Sequence, residues 1–225
     1  GFDSNDLGYH PRTDVLNGHV VAGYAWYEPD GIFRSKSFNI ATYRSYNFGG
    51  YKIAEGYMAF VYGSFMNYWS TNGNFSYSPS CVDAYRTRGG PMMKTTPGYS
   101  FNLGFSSDSR KMITGGFGIY GSRSESGSYT VEFDPSIGFK PTAGINVNIS
   151  PYFMRAFGMA QYITTVSDPT AAATYGARYI FSKIDQSELS ASVRLDWTFT
   201  PTLSLQLYMQ PLISAVQFCG YKELK

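Results

Sequence analysis

The amino-acid sequence predicts an all-β fold, specifically an antiparallel up-and-down transmembrane β-barrel or a large part of one. Two observations lead there: unusually long strands with a period of two, and a composition poor in charge and rich in aromatic residues. The clearest strand pair runs from Leu189 to Ile213. Leu189, Ala191, Val193, Leu195, Trp197 and Phe199 alternate with Ser190, Ser192, Arg194, Asp196, Thr198 and Thr200, the period that sends successive side chains to opposite faces of a strand. After Thr200-Pro201-Thr202 the pattern restarts, with Leu203, Leu205, Leu207 and Met209 set against Ser204, Gln206, Tyr208 and Gln210. Each limb of this hairpin has about 11 residues, twice the roughly 5–6 of a typical soluble strand. A bilayer sets such a length, because an apolar band about 25 Å tall, crossed at about 40° with about 3.3 Å per residue, needs roughly 10 residues.

Charged residues are 15% of the 225-residue chain, against about 25% in soluble domains. Twenty tyrosines and 17 phenylalanines suit the aromatic girdles of a membrane barrel. The competing reading is a soluble β-sandwich, whose strands also alternate and favour aromatic residues. The net charge is +2 with no basic run, so no electrostatic footprint for nucleic acid exists. Cys81 and Cys219 lack CxxC spacing and indicate neither a zinc site nor a disulfide framework, although an oxidising periplasm would let them pair. No apolar run reaches the about 18 residues of a transmembrane helix, and no charged-then-apolar leader opens the chain. An outer-membrane protein must be exported. The abrupt opening at Gly1 and end at Lys225 therefore lead us to expect an excerpt of a longer chain, unable to close a stable barrel alone.

In order, residues 1–17 read as an irregular lead-in, and strand signal begins at His19. Pro29-Asp30-Gly31 is a turn, answered antiparallel by Phe33 to Tyr46. There Arg34 and Lys36 share a face with Phe38 and Ile40, as a charged strand end outside a membrane would. Asn47-Phe48-Gly49-Gly50 turns the chain again. Tyr51 to Tyr77 allows two readings, one broken at Thr71-Asn72-Gly73 and one turning near Asn67. Residues 79–97 form the longest stretch without alternation and read as a long loop, outside a barrel or folded into its mouth. Turns follow at Ser107-Asp108-Ser109-Arg110, Ser124 to Gly127, Lys140-Pro141-Thr142, Ser167-Asp168-Pro169 and Asp185-Gln186-Ser187. Residues 154–166 and 173–184 pair as a separate hairpin. The total is about 12 strand segments in a single meandering domain.

Several stretches resemble a family. Gly1-Phe2-Asp3-Ser4-Asn5-Asp6-Leu7-Gly8-Tyr9 resembles the opening of a barrel domain of unknown function in Gram-negative envelope proteins. Thr87-Arg88-Gly89-Gly90-Pro91, Ser107-Asp108-Ser109-Arg110-Lys111, Thr174-Tyr175-Gly176-Ala177-Arg178-Tyr179, Phe199 to Gln206 through Gln210-Pro211, and Tyr221-Lys222-Glu223-Leu224 are similar to it in the same order. The resemblance implies an outer-membrane barrel, with a family-9-type carbohydrate-binding domain upstream of Gly1 and more barrel beyond Lys225. It brings no reaction with it.

Chemistry is sparse. Asp3, Asp6 and Asp14 lack the dense spacing and central glycine of an EF-hand loop. His10 and His19 have no clustered partners for a metal, and no GxSxG elbow is present. No catalytic residue, metal or cofactor is therefore expected. Asp83 to Lys94 is the best functional segment: Arg86 and Arg88, beside Gly89-Gly90, could offer guanidinium forks and backbone N–H groups to an anionic or sugar ligand. The bland alternative pairs Arg88 with an acid such as Asp196, pinning the loop. Arg194, Asp196, Gln206, Tyr208 and Gln210 share the polar parity of their hairpin and are candidates to line a lumen. The expected function is an outer-membrane barrel, in contact with lipid, that anchors a glycan-binding module and passes small solutes. The alternatives are an outer-membrane hydrolase acting on lipid or glycan, and a soluble β-rich binding domain.

Overall fold

The computed structural model describes residues 14–224. The opening motif Gly1 to Tyr9, with Asp3 and Asp6, and also His10, lies outside the described residues. Thirteen strands follow one another: β1 (Leu16–Trp26), β2 (Phe33–Tyr46), β3 (Lys52–Phe65), β4 (Ser70–Ser78), β5 (Val82–Asp83), β6 (Met93–Lys94), β7 (Gly98–Ser106), β8 (Ile113–Ser124), β9 (Tyr129–Thr142), β10 (Ile145–Ser167), β11 (Ala177–Thr200), β12 (Leu203–Met209) and β13 (Leu212–Glu223), with one 3-10 turn at Ala172–Thr174. β5 and β6 pair only with each other, inside the loop of residues 79–97. The other eleven form one antiparallel sheet in sequence order, with both β12 and β13 on β11.

β12 and β13 are two parts of one line. Val193 faces Met209 and Ser190 faces Leu212, the same register on either side of the break. The break falls at Gln210-Pro211, because Pro211 has no N–H to give the ladder, while its carbonyl still accepts from the Ala191 N–H at 3.1 Å. Pro135 and Pro151 are accommodated by the same chemistry. The β9–β10 ladder skips both between Ile149↔Ile137 and Phe153↔Phe133, so two missing donors fall at one place where the prolines oppose each other.

The antiparallel meander agrees with the sequence reading, but the sheet is open. Within the described residues, β1 at one edge and β12–β13 at the other have no further strand beside them, so no closed barrel is formed. Several turns also shift. β1 starts at Leu16 rather than His19. The third turn forms at residues 66–69, near Asn67, whose side-chain oxygen accepts from the Trp69 N–H at 3.1 Å, with Tyr68 left-handed at φ 65°; Thr71-Asn72-Gly73 lies inside β4. Lys140-Pro141-Thr142 belongs to β9, and the chain turns at Ala143-Gly144 instead.

The largest departure is that β10 and β11 run unbroken for 23 and 24 residues, so Asp185-Gln186-Ser187 is strand and not turn. The polar signal misleads there because its partner is across the sheet. Arg155 on β10 donates through Nη2 to Asp185 Oδ2 at 2.7 Å and through Nη1 to Ser187 Oγ.

Register sorts the side chains into two faces, since directly opposed residues point the same way. One face carries Tyr24, Phe38, Val61, Phe101, Leu103, Ile119, Phe133, Phe153, Leu189, Leu195, Trp197, Leu205 and Leu207. The opposite face carries Asn39, Asn72, Ser76, Ser100, Asn102, Ser122, Thr130, Asn148, Ser192, Arg194 and Asp196. The apolar face is bare: Phe101 is 48% exposed, Ile137 61% and Leu205 45%. Among the described residues, only Cys81, Tyr179 and Phe181 are buried apolar side chains. The chain exposes 14,810 Å² for its 25.0 kDa, against roughly 10,000 Å² for a compact soluble monomer of that mass.

Aromatic rows border the apolar face. Tyr57, Tyr77, Tyr99, Tyr129 and Phe157 stand in one cross-strand row that includes Arg123, with ring centroids 6.5, 5.0 and 5.9 Å apart at Tyr57–Tyr77, Tyr77–Tyr99 and Tyr129–Phe157. Toward the other end, Phe33, Phe65, Trp69, Phe105 and Phe117 form a second cluster.

The two ends of the sheet differ. At one, residues 27–32, 66–69, 107–112, 143–144 and 201–202 make short turns. At the other lie residues 47–51, 125–128, the nine residues 168–176 and the long loop 79–97.

Candidate functional site

The polar face is where chemistry can happen, and it has two populated zones. Near the short turns, β11 and β12 bring the sequence-derived candidates together. Arg194 opposes Tyr208 and Asp196 opposes Gln206. The Arg194 guanidinium lies 5.5 Å from the Tyr208 ring centroid. Tyr208 donates its hydroxyl to Gln210 Oε1 at 2.8 Å, and Asn146 donates to Asp196 Oδ2 at 3.4 Å. Further along, Glu132 opposes Tyr120 and Met154, and Asp134 lies over Gly118. The shared parity of Arg194, Asp196, Gln206, Tyr208 and Gln210 was visible in the sequence. Asn146 joins them only through the β10–β11 register.

The second zone is at the long-loop end. The loop of residues 79–97 starts beside β3, where Cys81 packs near Lys52 and Glu55, reaches β10 and β11 at its middle, and returns so that the Thr95 N–H donates to the Cys81 carbonyl at 2.8 Å. Arg88 has a left-handed backbone, φ 53°, and is followed by Gly89 at φ 103°, a conformation glycine adopts without steric cost. The Arg88 guanidinium lies 4.8 Å from the Tyr162 ring centroid. Gly90 lies flat against Tyr179, so that a Cβ there would meet the ring carbon Cζ at 2.2 Å. Thr87 is fully buried and donates its hydroxyl to the Pro91 carbonyl at 2.9 Å. Arg88 does not pair with Asp196, the sequence-based alternative: Asp196 lies roughly 55 Å along β11 from Tyr179 at about 3.3 Å per residue. Arg86 stands apart from Arg88, with Nε 3.8 Å from Asp83 Oδ2.

Motifs that were separate in sequence converge here. Residues 87–91 rest on Tyr179 of the stretch 174–179. Arg178 of that stretch bridges Asp168 and Glu223, reaching Glu223 Oε2 at 2.8 Å, and the Leu224 N–H donates to the Tyr179 carbonyl at 3.0 Å. Tyr175 and Gly176, at φ 60° and 76°, turn the chain before β11. The Asp168 carboxyl is held down to about 2, first by hydrogen bonds from Thr170 and then by Arg178. The stretch 107–111 belongs to the opposite end. There Arg110 Nε and Nη2 both donate to Asp108 at 2.8 Å, and Arg110 and Arg34 sit on the ring of Tyr68 at 3.3 and 4.4 Å from its centroid.

Between the loop and the sheet is a cavity of about 690 Å³. Its walls come from Ser78, Ser100, Tyr120, Ser122, Thr130 and Gln161 on the strands, Arg86 and Met93 to Thr96 on the loop, and Lys222 on β13. Sequence reasoning singled out Arg86 but missed Lys222, because no local pattern tells that β13 reaches the loop. Cys81 and Cys219 are both free thiols.

This fold and surface define a class: an antiparallel β-meander with one exposed apolar face and one polar face. The chain belongs to a family described as a domain of unknown function (DUF5916), whose model matches residues 1–225. Neither curated proteins nor solved structures give a match to it.

Proposed function

We propose that this sheet is wall of an outer-membrane β-barrel, with its apolar face on lipid and its polar face on a lumen, anchoring a glycan-binding module at the bacterial envelope and admitting small solutes. The observation that carries the reading is the apolar face, exposed along its whole width, together with the course of its band across the strands. One row of partners runs from Lys36 through Gly63, Thr71, Phe105, Phe117 and Pro135 and resumes at Pro151 and Ala191. On β2 that row is already charged. On β11 Val193, Leu195, Trp197 and Phe199 continue the apolar face beyond it. A flat hydrocarbon slab crossed by tilted strands requires this sliding, because rows perpendicular to the strands are then oblique to the slab. A sandwich core would need a second sheet on this face, and none of the described strands covers it. The tyrosine row and the short-turn, long-loop asymmetry are also features of outer-membrane barrels, with the long-loop end outward.

The test is the intact protein extracted from membranes in detergent. Heat-modifiable migration on gels, together with photolabelling of Phe101 and Leu205 positions by a lipid-borne probe and not of Asn102 and Gln206, is expected. Labelling of neither set, with no shift on heating, overturns the reading.

A further inference from the structure

We infer that the cavity under the long loop is a binding site for a saccharide that bears carboxylates. The inference deepens the proposed function by naming a ligand class for the polar face, but the cavity exists whether or not the sheet lies in a membrane. Its charge is one-sided. Arg86, Lys94 and Lys222 bring their cationic side chains to it, and no aspartate or glutamate lines it. Arg86 is partly engaged by Asp83 at 3.8 Å, whereas Lys94 and Lys222 make no ion pair among the described residues. Cations left without protein acids around a concave surface focus an attractive field on an oxyanion, and charge-assisted hydrogen bonds from lysine and arginine are the strong contacts such a group makes.

The rest of the lining fits a sugar ring better than a bare anion. Ser78, Ser100, Ser122 and Thr130 present hydroxyls that both donate and accept, as sugar hydroxyls require, and Tyr120 adds an aromatic body. The volume falls within the about 300–1,000 Å³ of small-molecule sites. The position is also suitable. Lys94 comes from the loop, whose other limb is anchored by Arg88 on Tyr162 and Gly90 on Tyr179, while Lys222 comes from the last strand. The two lysines therefore reach the cavity from separately held elements.

The experiment is calorimetric titration of the intact protein in detergent with trigalacturonate, with maltotriose and citrate as comparison ligands. Trigalacturonate is expected to bind at least ten-fold more tightly than either, and the affinity to fall as salt is raised. Lys94→Gln combined with Lys222→Gln should weaken it at least ten-fold, while Lys94→Arg with Lys222→Arg keeps it and Lys140→Gln at the other end leaves it unchanged. Equal binding of maltotriose removes the charge argument, and equal binding of citrate removes the sugar argument. Either result, or no binding of trigalacturonate by wild-type protein, overturns the proposal. The wild-type comparison decides even where a variant misfolds, and it reads the same in detergent if the membrane assignment fails.

Discussion

At the residue scale, Leu205 and Gln206 test the assignment of faces most directly. They are neighbours on β12, opposite Trp197 and Asp196, so one lies on the apolar face and the other on the polar face. Arginine at a lipid-facing midplane position costs roughly 2–4 kcal/mol, and far less where water solvates it. Leu205→Arg should impair assembly of the intact protein much more than Gln206→Arg, measured as the heat-modifiable fraction in membranes. Leu205→Trp separates lipid from a packed core: lipid accepts the ring, whereas overpacking costs roughly 1–3 kcal/mol. Damage from Leu205→Trp equal to that from Leu205→Arg would place Leu205 in a protein interior. A second residue-scale prediction concerns pH. Asp108 is held down to about 2, chiefly by the Arg110 guanidinium. A carboxyl depressed on folding contributes stability above its unfolded value near 3.8, and that contribution is lost as pH falls through about 2. The turn of residues 107–112 should therefore hold at pH 5 and loosen between about pH 4 and 2. Asp108→Asn should flatten that dependence in a carbon-detected titration of the turn. The carboxylate and guanidinium were legible in Ser107-Asp108-Ser109-Arg110, but Tyr68 was not, because the ring comes from a turn some forty residues earlier.

The decisive element is the loop of residues 79–97. Its attachment rests on an arginine over a ring and a glycine against another, and both can be removed singly. Arg88→Ala should lose a cation–π contact of about 0.5–2 kcal/mol and raise protease cleavage within the loop. Gly90→Ala should do so more strongly, since its methyl has no room beside Tyr179. Cleavage and single-channel conductance unchanged by both substitutions would mean a passive external loop. The loop's existence was legible as a gap in alternation. Its docking site was not, because Tyr162 and Tyr179 look like ordinary strand aromatics until the β10–β11 ladder, with its shifts at Gly158/Gln161 and Tyr162/Thr164, places them beside it.

For the molecule as a whole, the open edges pose the main question. If the sheet lies in a membrane as proposed, unpaired N–H and C=O groups on β1 and on β12–β13 cannot stay bare in hydrocarbon. Either the two edges pair with each other or further strands lie between them. With Cys81→Ser and Cys219→Ser in place, Ala22→Cys on β1 combined in turn with a cysteine at each position of β13 should give no cross-link in the intact protein in membranes. An efficient disulfide in one register would mean that these strands close the wall by themselves.

The local pattern of residues settles the all-β class, the antiparallel meander and the sorting of side chains into two faces, because a period of two is local and survives in any antiparallel pairing, but it divides β10 and β11 each into two strands where the fold has one. It also separated the loop of residues 79–97 from the strands around it. That Asp185-Gln186-Ser187 is strand emerges only in the folded sheet, where Arg155 on the neighbouring strand donates to the side chains of Asp185 and Ser187. The same holds for the union of Lys94 with Lys222 in one cavity and for the meeting of Gly90 with Tyr179. Those depend on register and on sheet curvature, which are set by pairings between residues far apart in sequence, and no local pattern encodes them.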